Sequence, residues 1–93
     1  MSVKAETLVK RLESRFSGIT GIYASRPDEV FLGDAAEGGT IDGLPACDYY
    51  AYDRDPNEDF YVLGVHRKLA ELVENAGWFV ECADPGTYYA YPD

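Results

Sequence analysis

A chain of 93 residues, of which 46% are apolar, is long enough for one globular domain and too apolar for a disordered segment. Seventeen acidic residues stand against eight basic ones, a formal net charge of −9. This charge argues against direct binding to nucleic acid or anionic lipid, because both need a surface rich in Lys and Arg. No apolar run approaches the ~18 residues of a membrane-spanning helix, and the N-terminus lacks the apolar core of a secretory signal. We therefore expect a cytoplasmic protein with one acidic domain spanning residues 1–93.

The N-terminal third predicts a helix followed by a hairpin. Apolar residues recur there at spacings of three and four, the period of an amphipathic helix: Ala5, Leu8, Val9, Leu12 and Phe16. Further on, Arg26-Pro27-Asp28 separates two apolar runs at 22–25 and 29–32. Pro followed by Asp is typical of a tight turn, so the two runs predict a β-hairpin. The glycine-rich stretch 33–45 predicts a mobile loop, with a short extended piece around Thr40-Ile41 as an option.

The middle of the chain predicts two further strands. Residues 46–53 are rich in tyrosine and indicate a strand. Residues 60–63 (Phe-Tyr-Val-Leu) follow a polar turn that also fits a helix start, with Asp55 as cap and Pro56 at the first position. We favour a strand at 60–63 that pairs with Tyr49 to Asp53, because the run is β-branched and aromatic and ends at Gly64.

The C-terminal third repeats the pattern of helix and hairpin. Val65, Leu69, Leu72, Val73 and Ala76 form a second amphipathic stripe. Two apolar runs around Asp84-Pro85-Gly86 then predict a second hairpin. The predicted order is α-β-β-β-β-α-β-β. The fold class is α+β, with two helices covering an antiparallel sheet of about five or six strands.

Negative charge is concentrated in the middle of the chain, and tyrosine is frequent in the chain as a whole. Between Pro27 and Gly64, ten acids face the single base Arg54, and the chain carries eight tyrosines. The sequence Tyr-Tyr-Ala-Tyr occurs at 49–52 and again at 88–91. Either similar strand positions select similar residues, or both stretches display tyrosines from one sheet. Carboxylates pair with guanidinium groups and aromatic rings stack on them. We therefore predict a partner-binding surface with the residues Asp48, Tyr50, Tyr52, Asp53, Asp55, Glu58 and Asp59, supplemented by Asp34, Glu37 and Asp42 from the loop.

The predicted function is that of a small acidic inhibitor. Such a protein docks on a basic groove of a nucleic-acid-handling protein or complex, where its carboxylates stand in for phosphates. By analogy of size and charge, this class includes phage inhibitors of CRISPR or restriction complexes and immunity partners of nuclease toxins. One alternative is a homodimeric assembly protein that pairs through the tyrosine-rich strand 87–91, taken as an edge strand. Another is an acidic surface adapted to high salt.

No motif predicts an enzyme, a metal site or a cofactor. Asp53, Asp55 and Asn57 match the first ligand positions of a calcium loop, but Glu58 stands where that loop requires glycine. The cysteines, Cys47 and Cys82, lack a CxxC spacing, and we expect free thiols. We expect the one histidine, His66, to be a helix cap or a surface residue.

Overall fold

The structure, a computed structural model, describes residues 2–48 and 61–93. It is α+β, as predicted. Its elements in chain order are α1 (Ala5–Arg15), β1 (Ile22–Arg26), β2 (Glu29–Leu32), β3 (Thr40–Ile41), β4 (Leu44–Pro45), β5 (Tyr61–Val62), β6 (Val65–His66), α2 (Arg67–Asn75), β7 (Trp78–Asp84) and β8 (Thr87–Pro92). Both helices and both long hairpins lie where the periodicity and turn residues predict them.

The main sheet has four antiparallel strands in the order β1-β2-β8-β7, fewer than the five or six expected. The remaining strands of the described residues form two separate hairpins, β3-β4 and β5-β6. The last strand of the chain therefore lies inside the sheet, hydrogen-bonded to β2 on one side and to β7 on the other. The expectation that residues 87–91 form an edge strand is wrong, because the C-terminal hairpin docks on the N-terminal one through β8.

The core lies between one face of this sheet and the two helices. Helix α1 packs on β1 and β2, and α2 packs on β7. The apolar stripes predicted for the helices supply their side of the core, where Leu8, Leu12, Leu69 and Val73 are fully buried. Trp78 fills the space near the start of β7, and its indole Nε1 donates a hydrogen bond to the Val3 carbonyl at 2.9 Å. This bond fixes the residues before α1 against the sheet.

The stretch 33–45, predicted as a loop with an optional extended piece around Thr40-Ile41, contains the β3-β4 hairpin, in which that piece is β3. Its turn residues Asp42 and Gly43 have φ values of 53° and 81°. Two consecutive residues with positive φ form the turn that fits the twist of a two-residue hairpin, and Asp-Gly is a preferred sequence for it. The dipeptide was thus a hairpin signal that the high glycine content of the stretch obscured.

The strand expected at 60–63 is confirmed for two of its residues. Tyr61 and Val62 form β5, and they pair with His66 and Val65 of β6 through a turn at Leu63 and Gly64. Val65 therefore belongs to a strand, and α2 begins two residues later. The partner expected for this strand, residues 49–53, lies outside the described residues.

Candidate protein-binding site

The outer face of the main sheet, opposite the helices, carries a row of aromatic side chains. Alternation along each strand sends Ile22, Val30, Tyr88 and Ala90 into the core and their neighbours to the other face. Those neighbours include five aromatic residues, which we call the aromatic face: Tyr23, Phe31, Phe79, Tyr89 and Tyr91. Their rings are in sequential contact across all four strands, with centroid separations of 5.3–6.2 Å.

The aromatic face is open to solvent at both ends. Tyr23 at one edge is 55% exposed and Phe79 at the other is 43% exposed, while the three rings between them are half-buried. Aromatic rings of this size are normally covered, and contiguous exposed apolar patches mark interaction sites. The row therefore offers a partner a continuous aromatic surface made of rings tilted against one another.

Two carboxylates border the aromatic face. Glu29 of β2 accepts hydrogen bonds from Ser25 Oγ at 2.6 Å and from the Tyr91 hydroxyl at 3.2 Å. Glu81 of β7 is exposed and stands directly across from Tyr89. The Ser25 hydrogen bond, assisted by Tyr91 and by the charge of Arg26, lowers the pKa of Glu29 against the opposing effect of desolvation. Glu29 is consequently a fixed negative charge at neutral pH.

The four described members of the predicted site do not share the aromatic face. The Asp34 carboxylate accepts hydrogen bonds from the Thr20 backbone N–H at 2.8 Å and from its hydroxyl at 2.9 Å. Asp42 forms an ion pair with Lys68, and the Glu37 carboxylate lies against Gly86 in the β7-β8 turn. The fourth, Asp48, is half-buried next to the β5-β6 hairpin.

The other six members of the predicted site lie outside the described residues: Tyr50, Tyr52, Asp53, Asp55, Glu58 and Asp59. That the ten residues form one binding surface stays a prediction. Within the described part, Asp34 and Asp42 already use their carboxylates to hold loops together, which leaves less of their charge for a partner.

The nucleophilic and titratable groups of the core are held in unreactive forms. Burial, together with the nearby Cys82, raises the pKa of the Cys47 thiol far above its usual range, so Cys47 stays protonated at neutral pH. Burial also lowers the pKa of His66. The Nδ1 atom of His66 accepts a hydrogen bond from the Lys68 backbone N–H at 3.2 Å, so His66 caps α2, as one of the two expectations had it, but from a buried position. Among the described residues, no three His, Cys, Asp or Glu side chains cluster as metal ligands would.

Reasoning from the sequence missed the aromatic face, although one signal was present. The second Tyr-Tyr-Ala-Tyr stretch is β8, where alternation buries Tyr88 and turns Tyr89 and Tyr91 outward. The same alternation applied to Phe31 and Phe79 would have placed them outward too. What could not be read was that β8 lies between β2 and β7, which brings the rings together.

Comparisons with known proteins yielded no match to the chain, whether to family models, to characterised proteins or to solved structures. Within residues 2–48 and 61–93, neither helix has the length and apolar character needed to cross a membrane. The geometry of the aromatic face and the net charge are therefore the features that bear on function.

Proposed function

We propose that this chain is a small acidic binding protein that docks on a basic groove of a nucleic-acid-handling protein and occupies it in place of nucleic acid. The observation that carries the proposal is the aromatic face, which is solvent-exposed and bordered by Glu29 and Glu81. Proteins that bind single-stranded nucleic acid use cationic grooves in which bases stack and phosphates are neutralised. Aromatic rings and carboxylates on one face of the sheet would offer such a groove both a stacking surface and negative charge.

The net charge of −9 supports the same proposal. An excess of one sign of charge steers a protein toward a partner of the opposite sign and raises the association rate at low salt. The aromatic rings would then supply contacts that persist after encounter, because tyrosines are enriched among the residues that dominate interface energies. Asp48, Tyr50, Tyr52, Asp53, Asp55, Glu58 and Asp59 remain a proposed second part of the contact.

The alternatives are supported less well. Pairing of two copies through residues 87–91 requires a free edge, and β8 has a neighbour on both sides. Adaptation to high salt accounts for surface carboxylates, but it gives no reason for a row of rings that is open to solvent at both ends. Both alternatives leave the aromatic face without a role.

The proposal is tested by affinity capture from a lysate of the source organism, with elution by salt and by nucleic acid. Three proteins are compared: the unchanged chain, a Glu29→Gln/Glu81→Gln variant, and a Glu6→Gln/Glu13→Gln variant. Glu6 and Glu13 lie exposed on α1. Their replacement removes the same amount of charge from the opposite side of the molecule. We expect the unchanged chain to capture a protein that single-stranded DNA or RNA displaces. The Glu29→Gln/Glu81→Gln variant should no longer capture this protein, whereas the Glu6→Gln/Glu13→Gln variant should still do so.

Two outcomes contradict the proposal. A captured protein that nucleic acid does not displace would show that the chain binds elsewhere than a nucleic-acid groove. Equal losses in the two charge variants would show that overall charge, and not the aromatic face, makes the contact.

A further inference from the structure

The three strands β2, β8 and β7 repeat one arrangement of side chains twice. Ala90 at the centre of β8 pairs with Val30 on one side and with Val80 on the other. The flanking strands read Glu29-Val30-Phe31 and Phe79-Val80-Glu81, so they carry the same three residue types in opposite order. Because β2 and β7 are both antiparallel to β8, they run in the same direction.

This reversal places the outward side chains around an approximate two-fold axis through Ala90. Tyr91 lies between Glu29, whose carboxylate accepts its hydroxyl hydrogen bond, and Phe79, its pairing partner. Tyr89 lies between Phe31 and Glu81, its pairing partners on β2 and β7. The outer face thus contains two groups of the same residue types, each made of a glutamate, the tyrosine across from it and the phenylalanine on the other side of that tyrosine.

Each group has the chemistry that recognises a guanidinium. A carboxylate accepts two parallel N–H bonds from arginine, and an adjacent ring face attracts the planar cation. Lysine, a compact and strongly hydrated point charge, gains less from both contacts. The hydroxyls that bond to Glu29 fix its carboxylate and leave acceptor positions on both oxygens.

We infer that the outer face binds a basic protein through two of its arginines, one in each group. The inference rests on the proposed function and names the side chains that the partner presents. With strands ~4.8 Å apart and ~3.4 Å per residue along each, the Cα atoms of Glu29 and Glu81 lie about 12 Å apart on the diagonal. The two arginines of the partner must be spaced to match.

Alanine-based helical peptides test this pairing directly. One peptide carries arginines seven residues apart, which places them on one helix face about 10.5 Å apart. A second carries them three residues apart, and a third has lysines in place of the arginines at the wider spacing. Binding is followed by the backbone amide NMR signals of the isotope-labelled full chain, which report both the affinity and the surface contacted.

We expect shifts centred on Phe31, Phe79, Tyr89 and Tyr91, with the wide arginine peptide binding about three- to tenfold more tightly than either control. Glu29→Gln and Glu81→Gln should each weaken that peptide by about fivefold. Glu6→Gln on α1 is the matched control and should leave the affinity unchanged. Native amide spectra of the variants establish that they are folded.

Each other outcome overturns the inference in an identifiable way. Equal binding of arginine and lysine peptides on the outer face would contradict guanidinium recognition while leaving the proposed docking intact. If affinity depended on only one glutamate, or did not depend on the spacing of the arginines, the use of two paired sites would be contradicted. Shifts that avoid the outer face, or no binding at millimolar peptide, would contradict the inference, and shifts confined to other surfaces would also contradict the docking face proposed above.

Discussion

The two outer surfaces of the molecule differ in both charge and chemistry. Of the eight basic residues of the chain, six lie in or next to the helices: Lys4, Lys10, Arg11, Arg15, Arg67 and Lys68. The outer face of the sheet carries five rings and two glutamates, and its strands include one base, Arg26 at the end of β1. Among the described residues, the bases are therefore concentrated on the helix side and the row of aromatic rings lies on the other.

This comparison separates side chains that hold the fold from side chains that are available to a partner. Trp78 and Phe79 are neighbours in β7, yet the first is 1% exposed in the core and the second points outward. Strand alternation alone assigns them opposite roles. The following predictions probe the comparison, starting with the largest expected effect.

Replacing Trp78 by Ala should destabilise the protein by about 3–5 kcal/mol, because it leaves a cavity between the sheet and the helices and removes the bond to the Val3 carbonyl. Phe79→Ala, one residue further along, should cost less than about 1 kcal/mol. Urea unfolding monitored by circular dichroism measures both. Similar losses for the two variants would mean that the outer face is as important to folding as the core.

The rings of the aromatic face should add only modestly to stability. Phe31 and Tyr89 are cross-strand partners with ring centroids 5.5 Å apart, and such pairs contribute about 0.5–1.5 kcal/mol beyond their buried area. A double-mutant cycle with Phe31→Leu and Tyr89→Leu, followed by urea unfolding, isolates this term. A coupling energy near zero would indicate that the rings are arranged for binding alone.

Mild acid should lower the free energy of unfolding by protonating His66, which caps α2. Its pKa is lowered in the folded state from an ordinary value of 6.5, so the stability it contributes is complete above about pH 6.5 and decreases as the pH falls toward the folded pKa. The loss should be about 1 kcal/mol, the usual worth of a helix cap, since Nδ1 must stay unprotonated to accept the Lys68 N–H. His66→Asn keeps a capping acceptor without the titration. Its unfolding free energy should therefore change less between pH 7 and pH 5, and an unchanged slope would contradict the prediction.

The smallest expected effect is a difference between Asp42 and Glu29 in how the pKa of each carboxyl responds to salt. Lys68 lowers the pKa of Asp42 on the helix side, by hydrogen bonding and by charge, whereas the leading cause at Glu29 is the neutral hydroxyl of Ser25. Each carboxylate stabilises the folded state when the pH is above its ordinary pKa, 3.8 for Asp42 and 4.5 for Glu29. This stabilisation is lost as the pH falls through the lower pKa that each group has in the folded protein. One molar salt screens charge pairs at a surface. The pKa of Asp42 should therefore rise with salt and that of Glu29 should hardly move, as NMR titration of the side-chain carboxyls would measure.

Local sequence patterns determined most of the secondary structure. The spacing of Leu8 and Leu12 predicted α1, and Pro27-Asp28 predicted the turn between β1 and β2. These signals act between residues close together in the chain, so a reader of the sequence can evaluate them without knowing the fold. The β3-β4 hairpin could have been predicted for the same reason, from Asp42-Gly43. The turn at Leu63-Gly64 could not have been predicted, because leucine seldom adopts the positive φ of 52° that it has there.

The tertiary structure alone decided which strands became neighbours. The sequence predicted a hairpin around each of Phe31 and Tyr89, but the two residues are 58 positions apart and meet only because β8 pairs with β2. Pairing between hairpins depends on how the two helices divide the core face between them, a balance of packing over the whole chain that no local pattern contains. The same docking placed β8 inside the sheet and assembled the aromatic face from four separate strands. Composition determined that the protein is acidic and rich in tyrosine, and the order of strands decided which of those side chains meet on one surface.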